Sequence, residues 1–253
     1  RIGEEITELL EYTPGQLFVR KIIRPKYALK DKSGIIIGDL PTLPIPKSNA
    51  GASLLANIVV SKFVDHLPFY RQRQIFKRQN VQISDSTLGG WFNQTADLLE
   101  PLYDVLQKEI LKSDYLQADE SPIGVQDSHK KGTLHTGYQW VYRSPIEGLV
   151  LFRYHKSRAR KAAEEILNDF SGTLQTDGYK VYQNLQTKGE ITLVGCMAHA
   201  RRYFEKALDN DKRRAEHALS LFQALYAIER KARERTINHH VRKRYRNRFA
   251  TPI

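Results

Sequence analysis

The chain has 253 residues, 41% of them hydrophobic, enough to bury one large core or a few smaller ones. Forty Lys and Arg against 28 Asp and Glu give a formal charge of +12, which points to a polyanionic partner, most often nucleic acid. A single cysteine, Cys196, excludes an internal disulfide and any multi-cysteine zinc site, and no apolar run approaches the roughly 20 residues of a membrane helix. That cysteine usage suits a reducing cytoplasm. The first residue is Arg1 rather than Met, so the chain reads as a fragment or as a product starting inside a longer frame.

Residues 1–48 carry the least regular pattern. "LFVRKIIRPKYAL" is rich in branched and aromatic residues and predicts a strand, "GIIIG" predicts a second, and "LPTLPIPKSNAG" is a Pro-rich linker. Residues 49–112 predict a helical region. Leu55, Ile58, Val59 and Phe63 form an apolar stripe along "ASLLANIVVSKFVDHL". Pro68 stands at a first helical position ahead of "FYRQRQIFKRQ". After "NVQIS", Ser84 or Asp85 can cap "DSTLGGWFNQTADLLEPLYDVLQKEIL". Two helices across a short turn, the first rich in Arg and Lys, resemble a helix-turn-helix. Arg71, Arg73, Lys77 and Arg78 are the residues expected to meet DNA.

From Ser113 the pattern changes. "DYLQADESPIGV", "GYQWVYR" and "LVLFRY" read as strands, the last two joined by the hairpin loop "SPIEG". "SRARKAAEEILNDF" reads as a helix, "GTLQT" as a strand, "YKVYQNL" as a short helix and "ITLVG" as a fifth strand. The succession βββαβαβ over residues 113–210 predicts a mixed sheet, an antiparallel meander extended by parallel crossovers. Residues 211–253 form a basic helical segment, with Ala218, Leu221, Phe222, Leu225 and Ile228 on one face of a long helix. Its end, "RKARERTINHHVRKRYRNRF", holds nine basic residues against one acid, Glu234, and is expected to touch DNA.

Asp177 closes "GTLQT" and, taken alone, reads as a helix cap. Asp119, near the end of the first strand in "LQADESP", changes that reading. First and fourth strands of such a sheet can be parallel neighbours, with their carboxyl ends on an edge where open α/β sheets bind ligands. Bare carboxylates there repel and raise one pKa unless a cation lies between them. Mg2+ (or Mn2+) suits the site, being held by one or two carboxylates with substrate phosphate. Two such ions about 3.5–4 Å apart clamp the attacking and leaving oxygens of a phosphoryl displacement. Strand side chains alternate, so Asp119 and Glu120 cannot both face the site, and spacing favours neither. His199, Arg201 and Arg202 open the helix "AHARRYF" and are candidates for phosphate contact. Cys196 is expected to be a buried small hydrophobe, Trp91 and Trp140 core residues, and Glu229 a flanking salt-bridge partner.

Five blocks occur in order: "LLANIVVSKFVDHLPFYRQRQIF", "STLGGWF", "LQADESPIGV", "LQTDGYKVY" and "GCMAHARRYFEKAL". Together they resemble the insertion sequence 66 family of transposases, from about Ile2 to Glu229. The resemblance implies a DDE transposase with a ribonuclease-H-like core. It implies Asp119, rather than Glu120, as the first catalytic acid and Asp177 as the second, both as ligands of Mg2+ or Mn2+. It also implies DNA as partner, at element ends and in the target, with a homo-oligomer on DNA and a cytoplasmic, nucleoid-associated location.

The chain departs from the family pattern in three places. The third acid belongs to a DNNxxE motif, and no such segment occurs before Ile253. The cysteine-rich zinc element reads "RPKYALKDKSG", without cysteine, so no zinc is expected. Where the family has Cys-Trp before Ala-His, this chain has Cys196–Met197, a packing change. The expected protein is thus a Mg2+-dependent transposase, weak or inactive as residues 1–253. Its rival is a transposase-derived DNA-binding protein without catalysis. A two-carboxylate glycosidase is a third reading, disfavoured by the basic charge and the absence of aromatic sugar-platform loops.

Overall fold

Only a short part of the strand expected in "LFVRKIIRPKYAL" is paired. In the computed structural model, which describes residues 8–11, 15–30, 33–126, 132–186 and 190–253, β1 (Lys26–Ala28) lies antiparallel to β2 (Ile35–Ile37). Leu17 packs partly buried against the helical core, but Phe18, Val19 and Ile23 are exposed, so little burial holds the rest of the segment extended. The start of the family-like stretch at Ile2, and Asp31 and Lys32 of the cysteine-free stretch, lie outside the described residues.

The chain divides into two compact units, Arg1–Tyr103 and Asp104–Ile253. Three helices build the first: α1 (Ala52–Phe63), α2 (Phe69–Arg78) and α3 (Asp85–Ile110), whose last residues belong to the second unit. Leu55 and Ile58 of α1, Phe76 of α2, and Leu88 and Trp91 of α3 form its core with Ile45 and Ala50. Phe63, expected on the buried stripe, is exposed and leans on Phe92 with ring centroids 5.9 Å apart. Buried Gln72 ties α2 to α1, its Nε2 donating to the carbonyls of Ile58 (3.2 Å) and Leu67 (3.1 Å). Pro68 precedes α2 rather than opening it, since its ψ of 154° is extended. Just past the end of α2, Asn80 has a φ of 61°, and the amides of Asn80 and Val81 satisfy the carbonyls of Lys77 and Phe76. Ser84 caps α3, its Oγ accepting from Thr87 N at 3.0 Å, and Asp85 is left to pair with Arg73.

The second unit has the expected βββαβαβ succession. β3 (Tyr115–Gln126), β4 (Leu134–Ser144) and β5 (Leu149–His155) form the meander. α4 (Arg160–Leu167), β6 (Gly172–Thr176), α5 (Lys180–Gln186) and β7 (Ile191–Gly195) complete the sheet. Strand order is β5-β4-β3-β6-β7, antiparallel through the meander and parallel for β3–β6–β7. This mixed α/β architecture is compatible with a ribonuclease-H-like core. One sheet face carries Leu116, Ala118, Trp140, Tyr142, Leu151 and Leu174, all buried with Ala163, Ile166 and Leu167 of α4 and Tyr182 and Leu185 of α5. The opposite face presents Asp119, Val150, Phe152 and Tyr154 to solvent.

Helices α6 (Met197–Lys206), α7 (Lys212–Glu234) and α8 (His239–Phe249) follow, with a 3-10 turn at Ala207–Asp209 between the first two. The stripe expected on α7 is shifted: Ala215, Phe222 and Ala232 are buried and Leu221 is exposed. Glu229 is a salt-bridge partner as expected, accepting from Arg246 of α8 at 2.6 and 2.9 Å.

Candidate active site

The site begins where β6 ends. β3 and β6 pair in parallel, with Gln117 opposite Gln175 as the last pair. Asp119 and Asp177 stand two residues further along each chain, separated by the same 58 positions as those glutamines. They therefore occupy equivalent places on neighbouring parallel segments, as the sheet order suggested. Asp119 is not at the end of its strand, however. β3 runs on to Gln126 in its pairing with β4, and the edge arises because β6 stops at Thr176.

Alternation along β3 separates the two acids of "ADES". The Asp119 side chain is 53% exposed on the open face, whereas that of Glu120 is fully buried on the other. Each aspartate has one oxygen fixed by the main chain: Asp119 Oδ1 accepts from Glu120 N, and Asp177 Oδ1 from Tyr179 N, both at 2.9 Å. Each Oδ2 faces a basic group without a hydrogen bond. His199 Nε2 is 3.7 Å from Asp119 Oδ2, and Arg158 Nη2 is 3.7 Å from Asp177 Oδ2. Asp177 thus does hold the turn into α5, and its second oxygen remains for a cation.

Behind the aspartates lies a network that pattern reading did not find. Arg158 donates to Glu120 Oε1 through Nε (2.7 Å), and Tyr182 Oη donates to Oε2 (2.8 Å). Burial is the largest influence on Glu120 and pushes its carboxyl above the ordinary range; the hydrogen bonds from Tyr182 and Arg158 pull it back only in part. For Arg158 burial is again the largest single influence, a lowering one. The hydrogen bond and charge of Glu120 together outweigh it, and the guanidinium is held more firmly charged. The pair's cost falls on Glu120 and its benefit on Arg158 because only Arg158 reaches solvent. Burial, then the charge of Glu120, pushes the Tyr182 hydroxyl far up, so it remains a donor. Arg158 was hidden in the sequence as one basic residue among several in "SRARK", just outside the helix proper.

The other expected residues fare unequally. His199 reaches Asp119 from the first turn of α6, and its Nδ1 is buried without a hydrogen-bond partner. Arg201 pairs with Glu205 one turn along (2.6 Å), and Arg202 is exposed. Cys196 is half-buried rather than buried, because it serves as the N-cap position of α6 while its amide donates to Thr176 O at 2.8 Å. In the first unit, Arg73 is engaged structurally, bound to Ile83 O (2.8 Å) and Asp85 (2.5 Å). Arg71 donates to Tyr70 Oη at 3.0 Å, while Lys77 and Arg78 are exposed.

Among the described residues, no group of three His, Cys, Asp or Glu converges as a metal cage. Asp119 and Asp177 nevertheless each keep one carboxylate oxygen not taken by the backbone. That chemistry fits a hard divalent cation whose remaining ligands are water or phosphate oxygens.

Both aspartates fall within the stretch that matches a known family. Residues 47–253 match the family described as Transposase IS66 family. Relatives in Sinorhizobium fredii include the uncharacterized protein y4jD, 34% identical over 92% of this chain and 48% of its own length. The uncharacterized protein y4qI is 32% identical over 80% of this chain and 40% of its own. The chain thus spans about half the length, or less, of the curated relatives it matches. With the family match covering most of its residues, the chain belongs to the IS66 family of transposases.

Proposed function

We propose that this chain carries two catalytic aspartates of a DDE-type DNA transposase, which cuts and joins phosphodiester bonds at element ends and in target DNA. The observation that carries the reading is the shared register of Asp119 and Asp177 at the edge where β6 ends. Asp119 and Asp177 would hold Mg2+ (or Mn2+), which would supply charge stabilisation at the transferring phosphate. The Glu120 and Tyr179 amides orient the two carboxylates. His199, which reaches Asp119, and the exposed Arg202 three residues on in α6 meet DNA phosphate, together with Arg201, which must then leave its pairing with Glu205. Residues 49–112 form a DNA-binding region of helix-turn-helix type, 113–210 the catalytic core and 211–253 a basic helical segment. A net charge of +12 recruits DNA through its backbone.

The test is strand cleavage of a plasmid bearing the gene with its flanking DNA. Cleavage by the product of the gene's reading frame should require Mg2+ or Mn2+, and Asp177→Asn should abolish it while leaving DNA binding intact. Residues 1–253 contain no DNNxxE segment and should cleave poorly by themselves. Cleavage that survives Asp177→Asn refutes the assignment. A second reading, DNA binding without catalysis, is favoured by the guanidinium already facing Asp177. Metal-independent DNA binding with no cleavage by any form of the protein would select it.

A further inference from the structure

An ion pair lies directly behind the two aspartates, and the proposed reaction makes no use of it. Glu120 follows Asp119 in β3 and points into the core, its side chain 0% exposed. Arg158 Nη2 is 2.5 Å from Glu120 Oε1 and 3.7 Å from Asp177 Oδ2. Its guanidinium carbon lies 3.9 Å from the centre of the Tyr179 ring. Tyr179 Oη donates to the Arg158 carbonyl at 3.1 Å, and Tyr179 N donates to Asp177 Oδ1. One guanidinium therefore serves two carboxylates: it is hydrogen-bonded to Glu120 and stands just beyond hydrogen-bond reach of Asp177.

Short charge-assisted bonds are directional, so Glu120 and the Tyr179 ring together fix where the positive charge sits. Stability alone is a weak reason to keep such a pair, because buried ion pairs are often replaceable by apolar residues of similar volume. Their placement suggests a use. A cation within about 4–6 Å of a carboxylate stabilises its charged form and opposes a second cation at the same oxygen.

We propose that Arg158 and Glu120 are positioning residues that set the metal affinity of Asp177. Arg158 is its resident counter-cation and competes with a divalent ion for Oδ2. Glu120 holds Arg158 back, so that the competition stays incomplete. The inference rests on Asp177 being a metal ligand, as proposed above.

The experiment is Mn2+ binding to residues 1–253 without DNA, followed by electron paramagnetic resonance, with circular dichroism to verify folding. Glu120→Gln removes the charge that restrains Arg158 and should weaken Mn2+ binding by about tenfold. The double variant Glu120→Gln, Arg158→Met removes both charges without stranding a buried carboxylate. It should bind Mn2+ about three- to tenfold more tightly than the wild type. Arg158→Lys keeps the charge and should stay near the wild type. A purely structural pair would alter melting temperatures without moving the two affinities in opposite directions. Folded Glu120→Gln and double-variant proteins whose affinities both stay within about twofold of the wild type, or shift in the same direction, overturn the inference. Should Glu120→Gln fail to fold, the double variant against the wild type decides alone. Asp177→Asn separates the two levels. If it binds Mn2+ like the wild type, the metal-ligand reading fails and this inference with it. If it alone loses binding while the Glu120 and Arg158 variants do not change, only this inference fails.

Discussion

Tyr182→Phe removes one oxygen atom from the centre of the second unit and tests whether Glu120 is charged there. The Tyr182 ring is fully buried and meets Trp140 edge-on, with centroids 6.2 Å apart, a contact phenylalanine preserves. What disappears is the 2.8 Å hydrogen bond to Glu120 Oε2. A hydrogen bond to a charged group is worth about 1.5–3 kcal/mol, and a buried carboxylate oxygen has no water to replace it. At about 2–4 °C per kcal/mol for a unit of this size, melting should fall by about 3–12 °C. The sign with pH follows from burial, which already raises Glu120. A raised carboxyl contributes stability that is fully present below its unfolded value and is lost as pH rises through the folded value. Losing the Tyr182 donor raises it further, so the deficit of the variant should be larger at neutral pH than in acid. Urea unfolding at both ends of that range, with Glu120→Gln completing a double-mutant cycle, measures it. A loss below about 0.5 kcal/mol, or a deficit that does not change with pH, refutes a charged Glu120 held by Tyr182.

Gly172→Ala should cost at least about 1–3 kcal/mol in urea unfolding, since the backbone there has φ of 138° and a Cβ would lie 2.7 Å from Asp114 O. Wild-type stability would show that the start of β6 adapts without strain. The hydrogen bond from Arg246, the largest influence, lowers Glu229 against an opposing effect of burial. Its contribution is therefore present above the unfolded carboxylate value and lost as pH falls through the folded one. Thermal unfolding of the wild type and Glu229→Gln should accordingly differ near pH 7 and converge in strong acid. DNA affinity should fall with salt at a slope of about −0.9 per neutralised phosphate, and replacing Arg71, Lys77 and Arg78 by Ala should flatten it. Arg73→Ala should instead lower stability, because its guanidinium holds Ile83 O and Asp85. An unchanged slope after the three replacements moves the DNA contact to α8.

Element order was legible because its signals are local. Alternation in "GYQWVYR" and the Asp-Gly step after "GTLQT" mark strand and turn within a few residues. Trp91 and Trp140 were likewise readable as core residues, and both are buried. The N-terminal segment misled for the same reason. Its branched residues favour a strand, but strand formation needs a partner and a covered face, and Phe18 and Val19 have no cover. The Arg and Lys of α2 looked alike in the sequence, yet Arg73 is taken up by Asp85, a choice made by how α2 meets the start of α3.

The sequence by itself determined the βββαβαβ succession, with Asp119 in its first strand and Asp177 just past its fourth, because periodicity and turn chemistry act over neighbouring residues. Tertiary structure decided the rest. Parallel pairing of β3 with β6 put the aspartates in register, and the pleat sent Asp119 outward and Glu120 inward. Arg158 and Tyr182 meet Glu120 from 38 and 62 residues away, and no local pattern encodes such contacts. Only the closing of the sheet against α4 and α5 brings those charges together, since a buried carboxylate must find its donors wherever the fold places them.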